Sequence, residues 1–352
     1  MMRAMTSSSP GMKARITIRE VAREAGVSLT TVSHALNDRG VVDPDTRTRV
    51  KAVAARLGYR PSARARKLQA GRSNSIAIVS SMPFAISGGV SRLGFMMEIA
   101  AIAAEAAMQR GLALVFVPPL ETAQELLQDL DIDGAIVIEP QAQDPRVRLL
   151  RERGVSLVTI GQEPQAADPA PCVDLHSAGA ARLLLEHLHA QGARRIALIQ
   201  GDAPRESYLS QLQAYRAFVA EHGLPERVLA IPESTGEAGG AQACATVLSR
   251  WPDTDALCVP VDAFATGALA EALRLGRHVP DDLKLATRYD GLRARTARPA
   301  LTAVDLHLEQ VGSLAVELLF EHLSGHTTRS CVSGPQPRLV ARASSGPRAR
   351  TH

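Results

Sequence analysis

Aromatic side chains are scarce in this sequence: Phe, Trp and Tyr make up 3% of 352 residues, with a single Trp. Cysteine is scarcer still. The four cysteines, Cys172, Cys244, Cys258 and Cys331, show no C-x-x-C spacing, which excludes a disulfide framework or a cysteine-built zinc centre and fits a reducing cytoplasm. No apolar run approaches the ~18 residues that a membrane span needs. The opening MMRAMTSSSPGMKA lacks the apolar stretch of a secretory signal, so residues 1–14 read as a disordered leader. Also missing are a Walker A loop, a G-x-G-x-x-G turn and an H-E-x-x-H helix. His187 and His189 are two apart and fall on different helix faces. Gly325 interrupts the helix between His322 and His326. No nucleophile–base set is evident, so neither an enzyme, a cofactor nor a metal site is expected.

What is present is uneven charge. Residues 1–75 hold 15 Lys/Arg against five acids, while the whole chain is only +4. The last 18 residues add four arginines, which leaves about −10 on residues 76–334. Between Asp45 and Glu98 there is no acidic residue. A basic head on an acidic body suits a phosphate-binding module joined to an ordinary domain. The length predicts two or three domains.

The stretch TIREVAREAGVSLTTVSHALN predicts two short helices joined at Gly26. Thr17 and Glu20 form a capping-box pattern, Gly26 suits a left-handed turn, and Ser28 is a natural cap for the second helix. Val32, Ala35 and Leu36 supply that helix's buried side, while Leu29, Thr30, Ser33 and His34 supply a small or polar face. Asp43-Pro44 starts a third helix, ending at Gly58. This is the helix-turn-helix layout, whose second helix enters the major groove of DNA. Pro61 through Ala70 reads as a short helix carrying Arg64, Arg66 and Lys67, ordered when phosphates neutralise it.

These residues, T-I-x-x-V-A-x-x-A-G-V-S-x-x-T-V-S-x-x-L-N followed by L-G-Y-R-P-S-x-x-A-x-x-L, resemble the LacI/GalR family of bacterial transcription regulators over about residues 16–340. The resemblance implies a sequence-specific repressor of a carbohydrate or related catabolic operon, acting as a homodimer on a palindromic double-stranded operator and controlled by a small-molecule effector, a sugar or sugar derivative. It implies a cytoplasmic, nucleoid-associated protein with no membrane contact. Base-edge contacts map to Leu29, Thr30 and His34, and supporting DNA contacts to Thr17, Ser28, Thr31, Ser33, Asn37, Tyr59, Arg60 and Ser62. Leu68, beside Ala65, maps to the hinge wedge that opens the minor groove. The resulting plan is a helix-turn-helix domain over 15–60, a hinge over 61–72, and an effector-binding and dimerisation domain over 73–340. A disordered basic tail over 341–352 completes it. With no leucine heptad after Val340, a coiled-coil tetramer is not expected.

Downstream, strands and helices alternate, which predicts parallel sheets covered by helices. Two similar five-unit halves imply two α/β lobes with a cleft between them, the periplasmic-binding-protein-like layout that the family shares. Lobe one is expected over about 75–172 plus 304–328 and lobe two over about 173–300, with a crossing near Pro299–Ala303. Ligands in such sheets sit beyond the carboxyl ends of the strands, which nominates Ser81, Ser207, Asp262 and Asp290, with Asp174 and Asp262 reading equally well as helix caps. The resemblance adds Gln211 to the pocket, where the family usually carries an Arg that grips a hydroxyl or carboxylate. It also marks Ser234, near a position that often carries a stacking aromatic. A solute-binding protein would explain the body alone, and a sugar-modifying enzyme with an accessory DNA domain would need catalytic motifs that the sequence lacks.

Overall fold

The computed structural model describes residues 16–36, 40–59, 73–87, 94–120, 123–325 and 329–346, and the chain divides into two units between Arg72 and Ser73. In the first unit, α1 (Ile18–Ala25), α2 (Leu29–Leu36) and α3 (Pro44–Leu57) pack around Val21, Ala25, Val32, Ala35, Val50 and Ala54. Local chemistry sets each boundary. The Thr17 amide and hydroxyl donate to the Glu20 carboxylate at 2.6 and 3.0 Å, and these bonds, the backbone one foremost, hold that carboxyl below its usual range. Gly26 turns the chain at φ +65°, and the Ser28 hydroxyl accepts the Thr31 amide at 3.1 Å to start α2. Asp43 accepts the Thr46 amide at 3.0 Å with Pro44 in the first helical turn. Among the sequence expectations, Asn37, Arg60, Ser62, Ala65, Leu68 and the hinge helix lie outside the described residues.

The second unit begins with β1 (Ser75–Ser80), α4 (Phe84–Ser87), α5 (Phe95–Gln109), β2 (Ala113–Val117), α6 (Ala123–Asp129), β3 (Gly134–Ile138), α7 (Pro145–Glu152) and β4 (Ser156–Ile160). It continues through β5 (Cys172–Asp174), α8 (Ser177–Ala190), β6 (Ile196–Gly201), α9 (Glu206–Glu221), β7 (Val228–Ile231), α10 (Gly236–Arg250), β8 (Ala256–Cys258), α11 (Asp262–Arg274) and β9 (Lys284–Ala286). The last elements are α12 (Leu292–Thr296), β10 (Ala303–Asp305), α13 (Leu308–Ser324), β11 (Cys331–Ser333) and β12 (Arg338–Val340).

The first lobe is a parallel six-stranded sheet in the order β11-β5-β4-β3-β1-β2, and the second a parallel four-stranded sheet in the order β7-β6-β8-β9. All six β1 residues and all five β3 residues are buried, as strands covered on both faces must be. In the second lobe α10 and α11 touch closely, because a Cβ on Gly267 would stand 1.9 Å from the Glu237 carbonyl oxygen.

The chain crosses between lobes after β5, after β10 and after β11. The first two crossings use the same tetrapeptide, Val-Asp-Leu-His, at 173–176 and 304–307. In each, the Asp side chain accepts the His amide, at 3.0 and 2.9 Å, while the His adopts φ of 51° and 53°. His176 Nε2 also pairs with the Gly334 carbonyl at 2.9 Å, tying the first crossing to the third.

Three expectations need correction. The halves are unequal, with six and four strands plus an antiparallel β10–β12 pair, because three-residue strands leave too little periodicity to be read. Lobe one runs past 172 and 328 to include all of β5 and β11. Nor is the chain disordered from residue 341: residues 341–346 are described, and Ser344 and Ser345 are fully buried. The Ser344 hydroxyl accepts the Thr302 amide at 2.8 Å and donates to the Leu285 carbonyl, so short polar side chains pin the tail to lobe two.

Candidate nucleic-acid interface and ligand cleft

On the head unit, α2 buries Val32 and Ala35 and turns Ser28, Leu29, Thr30 and His34 to solvent, with Thr31 and Ser33 half-buried. Leu29 is 44% exposed at the start of the helix. The helix contains no acidic residue, so its face offers phosphates no repulsion. Thr17 is exposed at the start of α1, and Tyr59 is half-buried after Gly58. The His34 ring lies over Gly40, where a Cβ would fall 2.7 Å from Nδ1.

In the body unit, the carboxyl ends of the strands meet at a cavity lined on its apolar side by Met82, Ile86, Phe95, Met96 and Leu306. Its polar lining comes from Glu139, Gln211, Asp262, Arg288 and the two tyrosines Tyr208 and Tyr289. Glu139 caps β3 at φ +50°, a left-handed conformation that costs a non-glycine residue roughly 1–2 kcal/mol. Its carboxylate accepts Arg288 Nη1 at 3.0 Å and the Ser207 hydroxyl at 2.7 Å. Thus one carboxylate of the first lobe is gripped by two residues of the second.

Beside it lies a second cross-lobe knot. Arg205, 1% exposed, donates from Nε and Nη2 to the Glu233 carboxylate, both at 2.7 Å. Its remaining donors reach the Ser81 hydroxyl at 3.0 Å, the Ser81 carbonyl at 3.1 Å and the Glu139 carbonyl. Tyr208 donates to Glu233 at 2.7 Å, and burial holds its phenol far above the usual range.

The nominated residues separate accordingly. Gln211 lines the cavity, is 1% exposed, and neither its amide oxygen nor its nitrogen has a partner among the described residues. Asp262 also lines it; burial raises its pKa, and Arg293 stands 3.4 Å away. Ser81 and Ser207 are buried but committed, to Asp144 and Arg205 and to Glu139 respectively. Asp290 is absent from the cavity wall and faces a neighbouring open pocket, with Arg342 at 2.6 Å and Arg295 at 3.4 Å. Asp174 caps its crossing by accepting the His176 amide, and Ser234 is exposed in a short 3-10 helix outside the cavity. Sequence reasoning missed Glu139, Arg205, Glu233, Arg288 and Tyr289. The RYDG segment following β9 carried a signal for the last two; the pairing of Arg205 with Glu233 and Glu139 joins distant positions and left none.

Among the described residues no helix is long and apolar enough to cross a membrane, and no group of three metal-ligating side chains occurs. The family model for bacterial regulatory proteins of the lacI family matches residues 17–62, and that for a periplasmic binding protein-like domain matches residues 185–345. The HTH-type transcriptional regulator CelR of Thermobifida fusca is 29% identical over 342 residues, covering 94% of this chain and 98% of its own. Catabolite control protein A of Priestia megaterium is 27% identical over 338 residues, covering 94% of this chain and 99% of its own. A solved CelR–cellobiose complex superposes with a TM-score of 0.69 at 26% identity, covering 94% of this chain and 100% of that one. The lac repressor dimer bound to operator and an anti-inducer superposes at 0.76 with 23% identity over 94% of this chain and 99% of that one, a likeness of fold. With a helix-turn-helix head that matches the lacI family model, a body that matches a periplasmic binding protein-like domain, and relatives matched along nearly their whole length, the chain is similar throughout to LacI-family regulatory proteins.

Proposed function

We propose that the protein is a homodimeric repressor that places α2 of each head in the major groove of a palindromic operator. The exposed, acid-free face of α2 is the observation that carries this reading. Leu29 suits a thymine methyl, Thr30 a base edge or phosphate, and His34 a purine N7. Thr17, Ser28, Thr31, Ser33, Asn37, Tyr59, Arg60 and Ser62 then contact the backbone around them, and Leu68, beside Ala65, wedges the central step. Such a reader of chromosomal DNA works in the cytoplasm and catalyses no reaction.

The body cleft takes the effector, which the cellobiose complex of CelR supports as a carbohydrate or a relative of one. Gln211 is the recognition residue, since a buried amide without partners costs stability until something occupies it. The one arginine among the residues lining the cavity, Arg288, is committed to Glu139, which favours an effector without an anionic group. Ser81 and Ser207 act through Arg205 and Glu139, Asp262 forms the far wall, and Asp290 orders the adjoining crossing. An effector that favours one lobe arrangement shifts operator affinity by its own difference in affinity between the arrangements. Selecting bound duplexes from a random pool tests the reading: an inverted repeat is the expected result, and a pool without enrichment would refute it.

A further inference from the structure

Cys172 and Cys331 stand directly opposite each other in the β5–β11 ladder, and their sulfurs are 2.9 Å apart. Cys331 is exposed on the edge strand, Cys172 is buried behind it, and the remaining cysteines, Cys244 and Cys258, are buried elsewhere. The pair also has a particular place in the architecture. β5 leads into the first lobe crossing and β11 into the third, and α8, reached through the first, packs against β12, reached through the third. The His176–Gly334 bond already links these two crossings without covalent help.

We propose that Cys331 and Cys172 form a hydroperoxide-sensitive dithiol whose disulfide staples two of the three lobe crossings together. The exposed Cys331 thiolate attacks one peroxide oxygen; the O–O bond breaks and the departing hydroxide takes a proton to become water. Cys331 is then a sulfenic acid. The Cys172 thiol loses its proton and attacks the Cys331 sulfur, so the S–S bond forms as the S–O bond breaks, and the hydroxyl leaves as a second water. Two thiols and one hydrogen peroxide thus give one disulfide and two waters, with sulfur oxidised and peroxide oxygen reduced. The order follows from access. Burial, and the Cys331 sulfur next to it, hold the Cys172 thiol protonated, so the exposed partner reacts first.

Only local approach is needed, because the register already sets the two side chains on one face of a parallel pair. Once formed, the bond closes a long segment of chain that includes the whole four-stranded sheet of the second lobe, which restricts the unfolded state and any shear between the two crossings.

The experiment treats the full-length protein with hydrogen peroxide and counts free thiols after denaturation. The four thiols should fall to two, the intact mass should drop by two hydrogens, and a non-reducing digest should link the peptides of Cys172 and Cys331. Dithiothreitol should restore all four, and the oxidised form should melt several degrees higher than the reduced one. Cys331→Ser, at an exposed position, should keep its three thiols under the same dose. Four surviving thiols would overturn the proposal, as would oxygen added to Cys331 without a link, or a bond between two chains. A linked pair that leaves the melting temperature unchanged would overturn the stapling role.

Discussion

Arg205 and Glu233 form a buried, two-point ion pair whose guanidinium also reaches across the cleft to Ser81 and Glu139. Burial by itself lowers the pKa of that guanidinium, but Glu233 together with Tyr208 and Glu139 more than offsets it and the net shift is upward. Removing one partner of such a pair strands the other in a poorly solvated site. Arg205→Ala should therefore cost about 3–5 kcal/mol in urea unfolding. Arg216→Ala breaks the exposed pair with Glu226 and should cost at most about 1 kcal/mol. Equal costs would show that the cross-lobe knot carries no special weight.

Gly40 bears on DNA reading although it is not on the reading helix. It sits at φ +65° with the His34 imidazole where its side chain would be. Gly40→Ala should strain the turn by roughly 1–2 kcal/mol and push the His34 ring. Duplex binding by this variant should weaken and lose preference at the same base pair as His34→Ala. Loss at a different base pair would separate Gly40 from His34.

Gln211 sets stability against function. Its amide has no partner among the described residues, so Gln211→Leu should match or exceed the parent in stability, by up to about 2 kcal/mol. The same variant should bind operator normally and no longer respond to the effector. A large destabilisation would mean that the amide is satisfied in solution.

His187 gives a pH test. Burial lowers its pKa from the ordinary value of 6.5, and its ring pairs with the Ser345 hydroxyl at 2.8 Å. The unfolded chain then binds a proton more readily than the fold does. Stability from this residue is complete above the unfolded value of 6.5 and drains away as pH falls below it toward the lower folded value. His187→Gln should flatten the loss of stability seen on acidification below that point, measured by urea melts at two pH values. An unchanged slope would place the titration elsewhere.

The head was readable because its instructions are local. Thr17 with Glu20, Gly26, Ser28, and Asp43 with Pro44 each act within a few residues, and each forms the cap or turn that its spacing implies. The alternation of body elements was readable for the same reason. What escaped depends on distant partners. Asp290 follows a strand as a pocket residue would, yet Arg342 claims its carboxylate from the tail. Ser344 looks like part of a polar tail until Thr302 and Leu285 are brought beside it. Glu139, with its left-handed backbone, is polar in a position where only the assembled cleft explains the strain.

The central claim is that the α2 face reads DNA, and a salt titration of full-length protein against a selected duplex tests it most directly. The account predicts tight binding at low salt, a steep linear fall of log affinity with log salt, and loss of discrimination between the selected duplex and a scrambled one in Leu29→Ala and His34→Ala. Absence of duplex binding at low salt, or equal discrimination in these variants and the parent, would contradict it.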